Sequence, residues 1–209
     1  MRIRGLLPSA LTMIGALPFL LGAVRGASAE ENKFVGAEKC KNCHSTDAKG
    51  NPYAVWSKAK HSHAFATLAT PEAKKVAAEK KIDDPQKSEA CLVCHVTAFG
   101  VPADQKHKKF DETQGVQCES CHGPGGNHVK ARLMAAEADD TKVQQVGKDE
   151  IVRQVPAETC KKCHNEKSPS YKSFCFKKSA KAIAHLDPRR NHPADYLDKL
   201  ACDCPECKK

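Results

Sequence analysis

The sequence predicts a mainly α-helical fold of short helices and long loops, drawn into one compact body around groups that are not amino acids. Three observations carry this reading. Only 5% of the 209 residues are aromatic, which is thin material for an ordinary core in about one domain's length of chain. Two cysteines three positions apart, followed at once by histidine, occur four times: Cys40-Cys43-His44, Cys91-Cys94-His95, Cys118-Cys121-His122 and Cys160-Cys163-His164. The gaps of 51, 27 and 42 residues between motif starts are unequal, which argues against a strict repeat and for a single domain with each motif bracketed by loops.

Cys-x-x-Cys-His is the attachment signature of c-type haem. Each cysteine adds across a vinyl group to form a thioether, and the adjacent imidazole becomes the proximal iron ligand. On a helical turn, positions i and i+3 share a face, and i+4 projects beneath the macrocycle. One such motif alone would equally suit a zinc site or a redox dithiol. Four copies behind an export signal point instead to four covalently attached haem c groups in a multihaem cytochrome c fold. The macrocycles would supply the missing apolar bulk, so little regular sheet is expected and the apo chain is not expected to fold.

Taken in order, residues 1–29 read as a secretory signal peptide. Arg2 and Arg4 precede an apolar run from Leu6 to Val24, and Ala27-Ser28-Ala29 has the small-residue pattern of a cleavage site. An uncleaved anchor is the alternative, but Pro8, Gly15, Pro18 and Gly22 interrupt the run. After cleavage no integral membrane span is expected. Export to the periplasm suits covalent haem, which bacteria attach on the far side of the inner membrane. Residues 30–200 then form the tetrahaem domain and 201–209 a cysteine-rich tail.

The formal charge of +9 overstates the basicity. Cleavage removes Arg2, Arg4 and Arg25 and no acids, leaving +6, and eight propionates against four ferric cores bring the oxidised holoprotein to about +2 and the reduced form to about −2. That removes most of the case for a nucleic-acid or anionic-membrane partner. Lys74 to Lys81 and Lys106 to Lys109 read as solvated faces.

Thr70-Pro71-Glu72 offers an N-cap, a first-turn proline and an early acid, predicting a helix to about Lys81 that ends at Asp83-Asp84-Pro85. Gly123-Pro124-Gly125-Gly126 forces a turn, after which Asn127 can cap a helix carrying His128, Val129, Leu133 and Met134. A charged helix from about Thr141 to Val155, and one from Lys177 to Leu186 with His185 near its end, complete the set before a short helix in the tail.

Four haems need up to four distal ligands. Six histidines lie outside the motifs: His61, His63, His107, His128, His185 and His192, with Met134 the one methionine beyond the signal peptide. The set should therefore be mainly bis-histidine and of low potential. His107, among lysines, and His192 read as surface residues. His61 and His63 follow Trp56 in a stretch with Ala64, Phe65 and Leu68 that looks haem-facing, and they are too close for both to be equally well placed.

The order Lys39-Cys40-Lys41-Asn42-Cys43-His44, Trp56 with His61 and Ala64, Cys91 to Val96 with Phe99-Gly100, Gly115 to Gly125, and a late helix toward His185 resembles the tetrahaem cytochromes typified by cytochrome c-554. The resemblance covers nearly the whole chain after the signal peptide. It implies that His61, His128 and His185 are distal ligands, and that the haem on Cys91 and Cys94, bound by His95, is five-coordinate and high-spin. It also implies electron transfer between redox protein partners, donor and acceptor cytochromes or oxidoreductases. Two departures stand out: His128 lies closer to its glycine turn than the family's ligand does, and the chain ends in a cysteine cluster foreign to the family.

Haem uses eight of the twelve cysteines, leaving Cys175, Cys202, Cys204 and Cys207. Two disulfides are the plain expectation in an exported protein. A thiolate metal site, or a Cys-x-x-Cys-Lys haem motif at Cys204 to Lys208, is the alternative. For function, an electron carrier needs only adjacent haems and saturated irons. An open iron at His95 would also admit a reductase of nitric oxide, nitrite or hydroxylamine, and a third possibility is a subunit of an extracellular haem filament.

Overall fold

A computed structural model describes residues 32–137, 147, 150–189, 196–200 and 204. The predicted signal peptide, His192, Cys202 and Cys207 lie outside the described residues. Residues Glu31–Lys209 form one compact unit.

Among the described residues the fold is helical without strands, and one isolated parallel bridge joins Phe34 to Lys106. In chain order the α-helices are α1 (Ala37–His44), α2 (Pro52–Lys58), α3 (Ala64–Thr67), α4 (Pro71–Glu79), α5 (Glu89–His95), α6 (Cys118–His122), α7 (Gly126–Glu137), α8 (Ala157–Lys161) and α9 (Phe176–Ala182). No described helix is long and apolar enough to cross a membrane.

Local sequence explains α4 as expected. The Thr70 hydroxyl accepts the Ala73 N–H at 3.2 Å and Pro71 occupies the first turn, where its missing N–H costs nothing. The expected cap of α7 is corrected. Asn127 lies inside the helix, and its own N–H is satisfied by the Asn32 side chain at 2.8 Å, while Gly126 N–H donates to the Lys33 carbonyl at 3.0 Å. A segment more than ninety residues away thus does what a local cap would do. The helix placed at Thr141–Val155 falls mostly outside the described residues, and its end, 150–155, is turn and irregular chain. The last helix stops at Ala182, so His185 follows it in irregular chain rather than riding on it. In the tail, residues 196–200 are turns rather than helix.

Few side chains are buried among the described residues, and the bulkiest of them are polar. The buried apolar side chains among the described residues are Ala37, Leu68, Ala77, Val96 and the disulfide partners Cys175 and Cys204. The largest fully buried side chains are Gln117 and Thr97. Buried polar groups must be paired, and these are. Thr97 Oγ1 accepts the Gln117 N–H at 2.7 Å and lies 2.7 Å from the Ser120 hydroxyl, and the Thr97 N–H donates to the Gly115 carbonyl at 3.0 Å. Gln117 Oε1 takes the Ala37 N–H at 2.7 Å and its Nε2 donates to the Asp111 carbonyl at 2.8 Å. Glu119 accepts three backbone N–H groups: Val35 at 2.8 Å and Gly125 at 2.7 Å on Oε1, Gly36 at 2.8 Å on Oε2. Burial pushes its carboxyl above the ordinary range, and the three donors pull it back. Residues beside and within the third motif thereby hold the start of α1, which carries the first, and the chain just after the second.

Candidate haem sites

Each motif sits on a helical turn, as thioether geometry requires. His44, His95 and His122 are the last residues of α1, α5 and α6. In the fourth motif α8 ends at Lys161, yet the His164 N–H still donates to the Cys160 carbonyl at 2.9 Å, so the turn is kept.

The motifs also meet one another. The Cys40 and Cys118 thiols are close enough to perturb one another's ionisation, as are those of Cys94 and Cys163. Cys121 is close enough to Cys160 to feel its charge. Groups attached at these sulfurs would be neighbours.

Across from three motif histidines stands a second imidazole. Ring centroids are 6.2 Å apart for His44 and His128, 5.9 Å for His122 and His185, and 6.0 Å for His164 and His61. Two metal–imidazole bonds of roughly 2 Å each, plus roughly 1.2 Å from nitrogen to ring centre at either end, require about 6.4 Å. The residues therefore fit a metal held between each pair. Burial pushes His44, His61, His122, His128 and His164 toward the neutral imidazole, the ligating form. Among the described residues His95 has no such counterpart. His63 and His107 are exposed.

Hydrogen bonds at Nδ1 leave Nε2 for a metal. His95 Nδ1 lies 2.7 Å from the Ala64 carbonyl, His122 Nδ1 2.6 Å from that of Val152, and His185 Nδ1 2.9 Å from that of Ile183. His128 Nδ1 instead meets a carboxylate, Glu150 Oε2 at 3.2 Å. Desolvation works against ionisation of Glu150, but the Gly147 N–H, His128 and Arg132 together hold it below the ordinary range. Phe174 stacks on His164 at 4.8 Å between centroids.

His61 is positioned by the chain leading into the third motif. Val116 N–H donates to the His61 carbonyl at 2.9 Å, and Trp56 Nε1–H donates to the Val116 carbonyl at 2.8 Å. The approach depends on Gly115, with φ +73°, where an added Cβ would stand 2.7 Å from the His61 oxygen. None of these supporting residues was singled out by motif reading except Trp56 and the Gly115 to Gly125 stretch as a whole.

The tail is tied to α9. Cys175, just before that helix, is disulfide-bonded to Cys204, and Lys181 pairs with Asp198. Of the disulfides expected from the spare cysteines this one is formed, and it occupies the sulfur that a Cys204 to Lys208 haem motif would need. No cluster of metal-binding side chains occurs among the described residues.

Four Cys-x-x-Cys-His motifs on helical turns, three of them with an imidazole facing the motif histidine, are the features of a multihaem c-type cytochrome. Residues 39–123 match the family described as cytochrome c554 and c-prime. The chain is 29% identical to cytochrome c-554 of Nitrosomonas europaea over 165 residues, 73% of this chain and 66% of that one. It is 25% identical to the multiheme cytochrome MtrA of Shewanella baltica over 171 residues, 65% of this chain and 51% of that one. These alignments span just under two thirds of the first relative and about half of the second. No solved structure matches. Residues 39–123, under half of the chain, thus resemble the cytochrome c-554 family.

Proposed function

We propose that residues 30–200 form a periplasmic electron carrier with four haem c groups, released from the signal peptide 1–29 and extended by the tail 201–209. The haems would be attached at Cys40/Cys43, Cys91/Cys94, Cys118/Cys121 and Cys160/Cys163. Three would be closed by the pairs His44/His128, His122/His185 and His164/His61, and the haem at His95 would have an open position. When bound, haem supplies the one-electron ferric/ferrous couple. The chain fixes the imidazoles, selects their neutral form and keeps neighbouring sites together through contacts between motifs. The partners on this reading are donor and acceptor redox proteins.

The observation that carries the reading is the one-to-one matching of distal histidines to motif histidines, which leaves His95 without a partner among the described residues. Electron paramagnetic resonance of the oxidised holoprotein should give three low-spin haems and one high-spin haem. Four low-spin signals would overturn the open site, and an intact mass with other than four haems would overturn the count.

The same open position favours a second reading, reduction of nitric oxide, nitrite or hydroxylamine at the His95 iron. It requires multiple turnovers with a supplied reductant; binding without turnover leaves the carrier.

A further inference from the structure

We propose that Glu150 is a positioning residue for His128, and that its hydrogen bond makes the haem attached at Cys40 and Cys43 the lowest in potential of the three histidine-paired haems. The inference rests on the assignment of His128 as the distal ligand opposite His44.

Of the candidate ligands with a described Nδ1 partner, His95, His122 and His185 face backbone carbonyls, and His128 alone faces a carboxylate. Glu150 is held for this task. Its Oε1 accepts from Arg132 Nη2 at 2.7 Å and from the Gly147 N–H at 2.9 Å, so Oε2 is turned to His128. The side chains of His128 and Glu150 are only 16% and 18% exposed, which limits screening by water. A carboxylate that accepts Nδ1–H makes the imidazole a stronger donor to the metal. A stronger donor favours ferric over ferrous iron, and the axial ligand and its hydrogen bonds are established levers on haem potential. The couple remains a one-electron reduction of ferric to ferrous iron, and the proton stays on Nδ1 in both states.

Two residues further on, Val152 serves a different site. Its carbonyl accepts from His122 Nδ1 and its N–H donates to the His122 carbonyl at 2.9 Å. One short stretch of chain thus gives a charged acceptor to the distal ligand of the first motif and a neutral one to the proximal ligand of the third. Neighbouring haems of otherwise similar ligation are thereby set apart in potential, which gives electron flow between them a direction.

The test is a redox titration of the holoprotein followed by electron paramagnetic resonance. His128→Ala first identifies the haem concerned as the one that turns high-spin. Glu150→Gln should then raise the midpoint of that haem alone. The expected size is about tenfold in its ferrous-to-ferric ratio at fixed potential, equivalent to about 59 mV for one electron, with a shift in its low-spin g values. Glu150→Asp, which withdraws the carboxylate by one methylene, should give a smaller shift on the same haem and decides the matter if Glu150→Gln fails to take up haem. No shift, or an equal shift on every haem as expected of a remote charge, overturns the proposal while leaving the ligand assignment in place. If His128→Ala creates no new high-spin haem, the ligand assignment falls and the role of Glu150 falls with it.

Discussion

Glu119 Oε2 accepts the Gly36 N–H at 2.8 Å, so a side chain between the two cysteines of the third motif caps the helix that carries the first. Its other oxygen holds the Val35 and Gly125 N–H groups. Replacing Glu119 by Gln sets an amide N–H₂ against a backbone donor and leaves a buried group unpaired, at a cost of about 1–3 kcal/mol. Thermal unfolding of the holoprotein measures this. A variant as stable as the parent would mean that the clamp contributes nothing.

Gly115→Ala should act on a haem from a distance. The added Cβ would meet the His61 carbonyl oxygen at 2.7 Å on a backbone with φ +73°, and strain of this kind costs on the order of 1–3 kcal/mol. Because His61 stands opposite His164, the expected optical and resonance change is confined to the haem on the fourth motif. A change in a different haem, with this one untouched, would contradict the pairing.

Single replacement of His61, His128 or His185 by Ala should each convert one low-spin haem to high-spin, since the iron loses its strong-field sixth ligand. The three conversions should fall on three different haems, following the pairs with His164, His44 and His122. Two of the variants affecting the same haem would break the assignment.

Cyanide or nitric oxide should bind one haem in the parent protein and leave the three histidine-paired ones unchanged. Titration with either ligand, followed optically, should saturate at one equivalent per chain, and saturation at zero or at several would contradict the open site at His95.

Cys204→Ser should leave the haem count at four while lowering stability. The Cys175–Cys204 bond spans a sequence separation of 29 residues, and closing a loop of that size is worth roughly 3.6 kcal/mol. Intact mass and denaturant unfolding read the two effects separately. Loss of a haem in this variant would show that Cys204 serves attachment.

The motifs were legible because covalent chemistry fixes their spacing, and the Thr70 cap was legible because it acts within four residues of itself. The ring pairs were not, since nothing along the chain says that His61 meets His164, 103 positions later, rather than His95. Gln117 and Glu119 were hidden for another reason. Inside or beside a motif they read as spacer positions, and their worth depends on backbone donors from residues 35–37. Asn127 was misread as a cap because a distant residue, Asn32, took that role. The end of the expected 141–155 helix is irregular where Glu150 and Val152 turn to His128 and His122. His185 leaves its helix before reaching His122 for a related reason: it stands opposite that ring from irregular chain beyond the helix end.

The contacts between Cys40 and Cys118, and between Cys94 and Cys163, bear on how the protein is made. Before attachment these are free thiols, and in any collapsed chain that brought them this close, surroundings oxidising enough to close Cys175–Cys204 would also favour joining them. Such a crosslink would consume one attachment sulfur from each of two motifs. If haem is attached at all four motifs, maturation would have to keep their thiols reduced while allowing another pair to oxidise, either by loading haem before the chain collapses or by a reductant that reaches the motifs and spares the tail.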